Sequence, residues 1–258
     1  MNILLVGSKS QFALALQNHF RSKGHFVSEM RNSDCNEWRF GQELNIEDLR
    51  DSERIIFLAW SKNDVNQSVY EFARFVNAVR KFSQSSNLLF ISSFSVFNWT
   101  RYGVSKLLGE EIAEASGAKY IRLPLITDLV NTQEITKVQQ FIELFKRVPL
   151  SKIWGGDIFR VSIPNVITEI DSWLIDPESF RSSSLSEVGN INVIDLFQKD
   201  NSNKIVESYF LSIVALCLKK LIEVFGTTNR SVDSFYSYFN NKDLNIIEMY
   251  FKKEIDNE

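Results

Sequence analysis

Cysteine is almost missing from this chain of 258 residues, with Cys35 and Cys217 the two present. Two thiols so far apart cannot build a disulfide framework, and they read as free thiols in a reducing compartment. Histidine is as scarce: His19 and His25 stand alone, without metal-ligand spacing to another His or Cys. No metal site is expected, and both imidazoles read as solvated or core side chains. An excess of one charge is also lacking. The formal net charge is -3 and no basic block occurs, so nothing favours nucleic acid or an anionic membrane surface. Long apolar runs are missing too. The most apolar stretch, Tyr209 to Leu218, is stopped by Lys219-Lys220. It has about half the ~20 residues that a bilayer crossing needs, so it reads as a buried helix. The N-terminus enters a strand directly, without the basic flank and cleavage site of a signal peptide, and the expected location is the cytoplasm. Internal repeats and low-complexity segments are absent.

What remains is a chain able to bury one α/β domain, 44% hydrophobic and 13% aromatic, with 10 Gly and 4 Pro. Met1-Asn-Ile-Leu-Leu-Val-Gly7 is apolar almost throughout and ends in glycine, which predicts a short buried strand. Phe12, Leu14, Leu16 and Phe20 then recur within one amphipathic segment reaching about Gly24. A strand, a tight turn and a helix form the geometry that holds a dinucleotide pyrophosphate on a helix N-terminus. Strand two is predicted at His25–Met30 and a helix at Asp64–Ser83, through Val69, Phe72, Phe75, Val76 and Val79. Leu88–Ser92 reads as a buried strand and Tyr102–Ser116 as a helix. This alternation predicts a doubly wound parallel sheet, with any ligand at the carboxyl ends of the strands, where Gly7 and Ser93 both fall.

Tyr102-Gly-Val-Ser-Lys106 puts a phenol and an ammonium four residues apart, on the same face of a helix. A nearby positive charge favours the phenolate and lowers a tyrosine pKa from its ordinary value of about 10. Such a tyrosine can pass a proton to or from a hydroxyl or carbonyl. The same spacing also fits an exposed helix pair with no chemical role. Ser93 equally fits a simple strand-end cap.

In their order along the chain, these motifs resemble the extended branch of the short-chain dehydrogenase/reductase superfamily, the nucleotide-sugar epimerases, dehydratases and reductases. The opening, Gly7-Ser-Lys-Ser10-Gln-Phe-Ala13, is most similar to the dTDP-4-dehydrorhamnose reductase group, with Ser10 and Ala13 in place of the second and third glycines. Ile55-Ile-Phe-Leu-Ala-Trp60 stands where that family has its fourth strand, and Phe90-Ile-Ser-Ser93-Phe-Ser-Val-Phe97 is similar to its fifth. Tyr102, Lys106 and Gly109-Glu-Glu111 follow, then Tyr120-Ile-Arg-Leu-Pro124.

The resemblance implies a Rossmann-type doubly wound parallel sheet with a smaller, mixed but mainly helical C-terminal substrate region. The expected parts are a nucleotide-binding domain at 1–125 and a substrate-binding region at 126–258 that does not fold independently. It implies a catalytic set of Ser93, Tyr102 and Lys106, with the serine donating to the substrate oxygen and the lysine also binding the nicotinamide ribose. Cofactor contacts are expected from Gly7, Ser10, Gln11, Phe12, Leu58, Ala59, Tyr102 and Lys106. Arg31, near the end of strand two, leans the cofactor towards NADP over NAD, although Glu29 lies close by. Trp154-Gly-Gly-Asp-Ile-Phe-Arg160 resembles the segment whose arginine contacts a nucleotide-sugar diphosphate, so Ser93 and Arg160 are the expected substrate contacts.

The expected partners are a small nucleotide sugar and a second copy of the chain, paired as a four-helix bundle. Phe72, Phe75 and Val79 fit either that surface or the core. The expected function is an NAD(P)-dependent oxidoreductase or epimerase of polysaccharide biosynthesis. A non-catalytic dinucleotide-binding relative, acting as sensor or scaffold, is the alternative. The eroded glycine turn, Phe57 and Trp60 in the fourth-strand motif, and the short Ser93–Tyr102 spacing favour that alternative. Further helices are predicted at Thr132–Val148, Asn165–Leu174, Asn203–Phe225, Ser231–Phe239 and Asp243–Glu254, and a linker at Arg181–Glu187.

Overall fold

A computed structural model describes residues 1–61, 64–97, 100–126, 157–158, 160–185 and 191–192. Its centre is a six-stranded sheet in the order β2-β1-β3-β4-β5-β9, parallel throughout. The strands are β1 (Asn2–Val6), β2 (Phe26–Glu29), β3 (Arg54–Phe57), β4 (Leu88–Ser93), β5 (Lys119–Leu123) and β9 (Ser183–Ser184). Helices α1 (Gln11–Ser22), α2 (Ile46–Arg50), α3 (Val65–Phe82), α4 (Arg101–Ser116) and α5 (Ile163–Ile175) join or cover them. Short strands β6 (Leu125–Ile126) and β8 (Arg160–Val161) complete the described part of the first compact unit and its boundary, apart from the pair named below.

Strand alternation divides the core into two layers. Ile3, Leu5, Ile56, Leu89 and Ile91 face one side, against α1 and α5 through Leu16, Phe20, Ile170 and Trp173. Leu4, Val6, Phe57, Leu88 and Phe90 face the other, against α3 and α4 through Phe72, Phe75, Val79 and Ala113. Strands buried on both faces are apolar without a break, which is why β1 and β4 read as continuous hydrophobic runs. The predicted strands and helices up to Pro124 stand within a few residues of their observed bounds. Phe72, Phe75 and Val79 are fully buried, so they belong to the core.

Two features depart from the sequence pattern. Residues 30–53 form no sheet strand; they make isolated bridges, Arg31 to Glu37 and Asn32 to Leu44, and then α2. The edge of the sheet is therefore β2. Arg181-Ser-Ser-Ser-Leu-Ser-Glu187 has the composition of a linker, yet it carries β9, which pairs Ser183 and Ser184 with Ile121 and Arg122.

The chain divides into two compact units, residues 1–129 with 161–186, and residues 130–160 with 187–258. In the second unit, β7 (Asp157–Ile158) pairs antiparallel with β10 (Ile191–Asn192). The predicted helices at Thr132–Val148 and beyond Asn203 lie outside the described residues. No helix among the described residues is long and apolar enough to cross a membrane.

Candidate active site

In a sheet of this order the direction of winding reverses at β1, and the crevice beyond the carboxyl ends of β1 and β3 is the switch point. Both strand ends carry predicted cofactor residues. Val6 closes β1, and its carbonyl accepts from the N–H groups of Leu58 and Ala59 at 2.8 and 2.9 Å. Gly7 follows with φ at +94°. A Cβ there would stand 2.6 Å from the backbone nitrogen of Ala59, so the turn admits no side chain. Ser10 is the N-cap of α1, and its hydroxyl accepts from the N–H of Ala13 at 3.0 Å. The N–H groups of Gln11 and Phe12 have no partner within the helix, by the geometry of a helix start. Gly7, Ser10, Gln11, Phe12, Leu58 and Ala59 thus share one rim. This end fits a dinucleotide pyrophosphate: a turn with no room for a Cβ leads into an open helix N-terminus.

Arg31 follows β2 and is committed to a carboxylate. Its backbone N–H donates to Asp48 Oδ2 at 2.9 Å, its Nε to Oδ1 at 3.0 Å, and its Nη2 also bonds Oδ1. The Asp48 hydrogen bonds, followed by its charge, hold the Arg31 guanidinium above its ordinary pKa. Asp48 is buried while the Arg31 side chain is 47% exposed. Beside them opens a cavity of about 410 Å³ whose lining includes Ser28, Glu29, Met30, Arg31 and Asp48.

Crossovers between parallel strands run each helix back along the sheet, so α4 starts at the carboxyl rim. Thr100 caps it by accepting from the Gly103 N–H at 3.0 Å. Tyr102 is therefore in the first turn, at the rim, and half-buried. Lys106, one turn on, is 3% exposed. Its ammonium donates to the Ile91 carbonyl of β4 at 2.7 Å. The same ammonium lies 4.5 Å from the centroid of the Trp60 indole and 4.6 Å from that of Phe90. Trp60 is fixed in turn, its indole N–H donating to Ser105 Oγ at 3.1 Å. Ser93 ends β4, half-buried; its hydroxyl donates to Ser95 Oγ at 3.1 Å and accepts from the Ser95 N–H at 3.2 Å.

The fold brings Lys106 onto the strand that ends in Ser93, and it sets the Gly7 turn against the exit of β3. It places Arg31 on Asp48. Arg160 falls in β8, but its side chain and residues 151–156 lie outside the described residues. Among the described residues no group of His, Cys, Asp and Glu could hold a metal ion.

Sequence reasoning missed Asp48, whose approach to Arg31 depends on the irregular 30–53 segment. It also missed the contact of Glu110 with Arg122. Both lie in motifs quoted above, Gly109-Glu-Glu111 and Tyr120-Ile-Arg-Leu-Pro124, but nothing in either motif points to the other.

No protein-family model and no curated protein matches this sequence. Solved structures do match in fold. A UDP-N-acetylglucosamine 4-epimerase from Bacillus cereus has a TM-score of 0.58 at 13% identity, covering 76% of this chain and 79% of the other. MoeE5 in complex with UDP-glucose and NAD has a TM-score of 0.57 at 14% identity, covering 76% and 79%. A dTDP-4-dehydrorhamnose reductase from Clostridium acetobutylicum has a TM-score of 0.55 at 12% identity, covering 76% and 78%. At these identities the likeness is one of architecture, and it makes the fold Rossmann-type α/β.

Proposed function

We propose that this chain is an NAD(P)-dependent oxidoreductase or epimerase of the extended short-chain dehydrogenase type, acting on a nucleotide-activated sugar. One observation carries the reading: Gly7 abuts Ala59 across the switch point while Lys106 is anchored on β4, the strand that ends in Ser93. Those are the positions at which an α/β sheet holds a dinucleotide and presents a proton-transfer couple to its substrate. The structural neighbours named above bind or act on nucleotide sugars, and one carries NAD.

When bound, the nicotinamide supplies or takes the hydride. Tyr102 acts as acid or base on a sugar hydroxyl or ketone, and Ser93 donates to the same oxygen, which orients it and stabilises developing charge. Lys106 keeps a positive charge close behind Tyr102 and binds the nicotinamide ribose. Arg160 contacts the diphosphate of the sugar nucleotide. The choice of cofactor rests on Arg31. Asp48 neutralises part of its charge, and its exposed edge is what would meet an NADP phosphate; tighter binding of NAD would defeat the NADP preference. A second copy would pair on α3 and α4, where Tyr70, Val104 and Leu108 are exposed. A cytoplasmic setting belongs to the same proposal.

A second reading is a relative that binds a dinucleotide without turning it over. The indole of Trp60 over the Lys106 ammonium favours it, because that ring occupies space beside the proposed ribose ligand. Tyr102→Phe separates the two. With UDP-glucose as probe and NAD or NADP as cofactor, the variant should lose turnover and keep cofactor binding. Near-normal turnover would remove Tyr102 from its role, and no turnover by the parent protein with any sugar nucleotide would favour the second reading.

A further inference from the structure

The helix that carries Tyr102 and Lys106 has little apolar grip on the sheet. Its buried positions are Gly103, Ser105, Lys106, Gly109, Glu110 and Ala113. Small residues allow close approach: a Cβ on Gly109 would come 2.8 Å from Phe90 Cζ and 2.9 Å from Trp60 Cη2. They offer few ridges, however, to stop the helix sliding along the strands. Two buried charges one turn apart, Lys106 and Glu110, bond to β4 from this face. Lys106 is bound to the Ile91 carbonyl.

Glu110, 2% exposed, accepts from the Ser92 hydroxyl on β4. It also takes Arg122 Nε at 3.1 Å on each oxygen and Arg122 Nη2 at 2.9 Å, from β5. The Arg122 guanidinium lies 5.3 Å from the Tyr120 ring centroid, and the Tyr120 hydroxyl donates back to Glu114 of α4 at 2.8 Å. Ser92 is the immediate neighbour of Ser93. A buried pair of this kind adds little net stability over apolar side chains of equal volume; what its forked hydrogen bonds supply is direction.

We propose that Glu110 and Arg122 are positioning residues that fix the register of α4 on β4 and so place Tyr102 and Lys106 relative to Ser93. The consequence for turnover rests on the oxidoreductase or epimerase reading; the register does not.

Arg122→Met takes the guanidinium from the buried Glu110 carboxylate and Glu110→Gln takes the carboxylate from the fork, and both should melt earlier than the parent protein. The double variant removes both charges and should melt near the parent. Its crystal structure should show α4 displaced along β4 with Lys106 off the Ile91 carbonyl. Its kcat with UDP-glucose should fall about tenfold or more, and NAD binding should weaken as Lys106 leaves its place beside the ribose. Arg122→Lys, which keeps the charge and loses the fork, should displace α4 in the same direction. Register and kcat unchanged in the double variant would overturn the proposal. So would a double variant that fails to fold beside an Arg122→Lys protein with α4 unmoved. A displaced α4 in a protein that binds neither NAD nor NADP would uphold the register role and remove the functional reading alone.

Discussion

The ammonium of Lys106 is held at 2.7 Å by the carbonyl oxygen of Ile91, two residues before Ser93 on the same strand. The side chain is buried, and the rings of Trp60 and Phe90 lie within cation–π distance of it. Lys106→Met keeps the length and most of the volume but loses the charge. Losing a hydrogen bond to a charged group should cost about 2 kcal/mol of stability, read by urea denaturation. Turnover with UDP-glucose should fall by about 100-fold or more, the scale of a disabled acid–base couple. Intact turnover would mean that the ammonium serves the fold alone.

Gly7 and Gly24 both have positive φ, at +94° and +81°, but differ in their surroundings. A Cβ at Gly24 meets nothing within 4 Å, whereas at Gly7 it meets the backbone of Ala59. Gly24→Ala should therefore cost about 1 kcal/mol, the conformational penalty alone. Gly7→Ala should cost about 2 kcal/mol or more and weaken NAD binding, since the backbone at Ala59, just beyond β3, must move to admit it. Denaturation midpoints and a cofactor titration on both variants check the contrast.

Much of the fold was legible because burial on both sheet faces forces uninterrupted apolar strands, as in Ile3–Val6 and Leu88–Ile91. The helices announced themselves by spacing, as with Phe72, Phe75, Val76 and Val79. β9 was hidden because Ser183 and Ser184 carry no apolar signal and join the sheet by backbone pairing alone. At the site, Gly7, Ser93 and the Tyr102–Lys106 couple could be read from spacing. The partners of Lys106 could not: a main-chain carbonyl has no sequence signature, and Trp60 meets Lys106 across two separate elements. The pairing of Arg31 with Asp48 was hidden for a related reason, because it forms through a segment without periodicity.

The aromatic cluster beneath α3 is a sharp test of packing. Phe72 is fully buried, stacked on Phe90 with ring centroids 4.5 Å apart and 4.8 Å from Phe57. Phe72→Ala should lower stability by about 3–5 kcal/mol through lost burial and the cavity left behind. Phe26, 68% exposed at the edge of β2, is the control, and Phe26→Ala should change stability by less than about 0.5 kcal/mol. Equal losses would contradict the layer assignment.

Burial, ahead of the Glu114 hydrogen bond, raises the Tyr120 phenol well above its ordinary value of 10.0. The folded protein therefore keeps this proton where the unfolded chain has released it. Stability from Tyr120 is complete below about pH 10 and declines as pH rises beyond that. Tyr120→Phe should flatten that part of the alkaline stability curve, measured by urea denaturation between about pH 9 and pH 11. An unchanged slope would place the alkaline loss elsewhere.

The most direct test of dinucleotide binding at the Gly7 turn is thermal unfolding of the whole chain with NAD and with NADP. A cofactor at 100 times its dissociation constant should add about 2.7 kcal/mol and raise the melting temperature, with the gain diminished in Gly7→Ala. An unshifted melting curve with both cofactors would contradict the account.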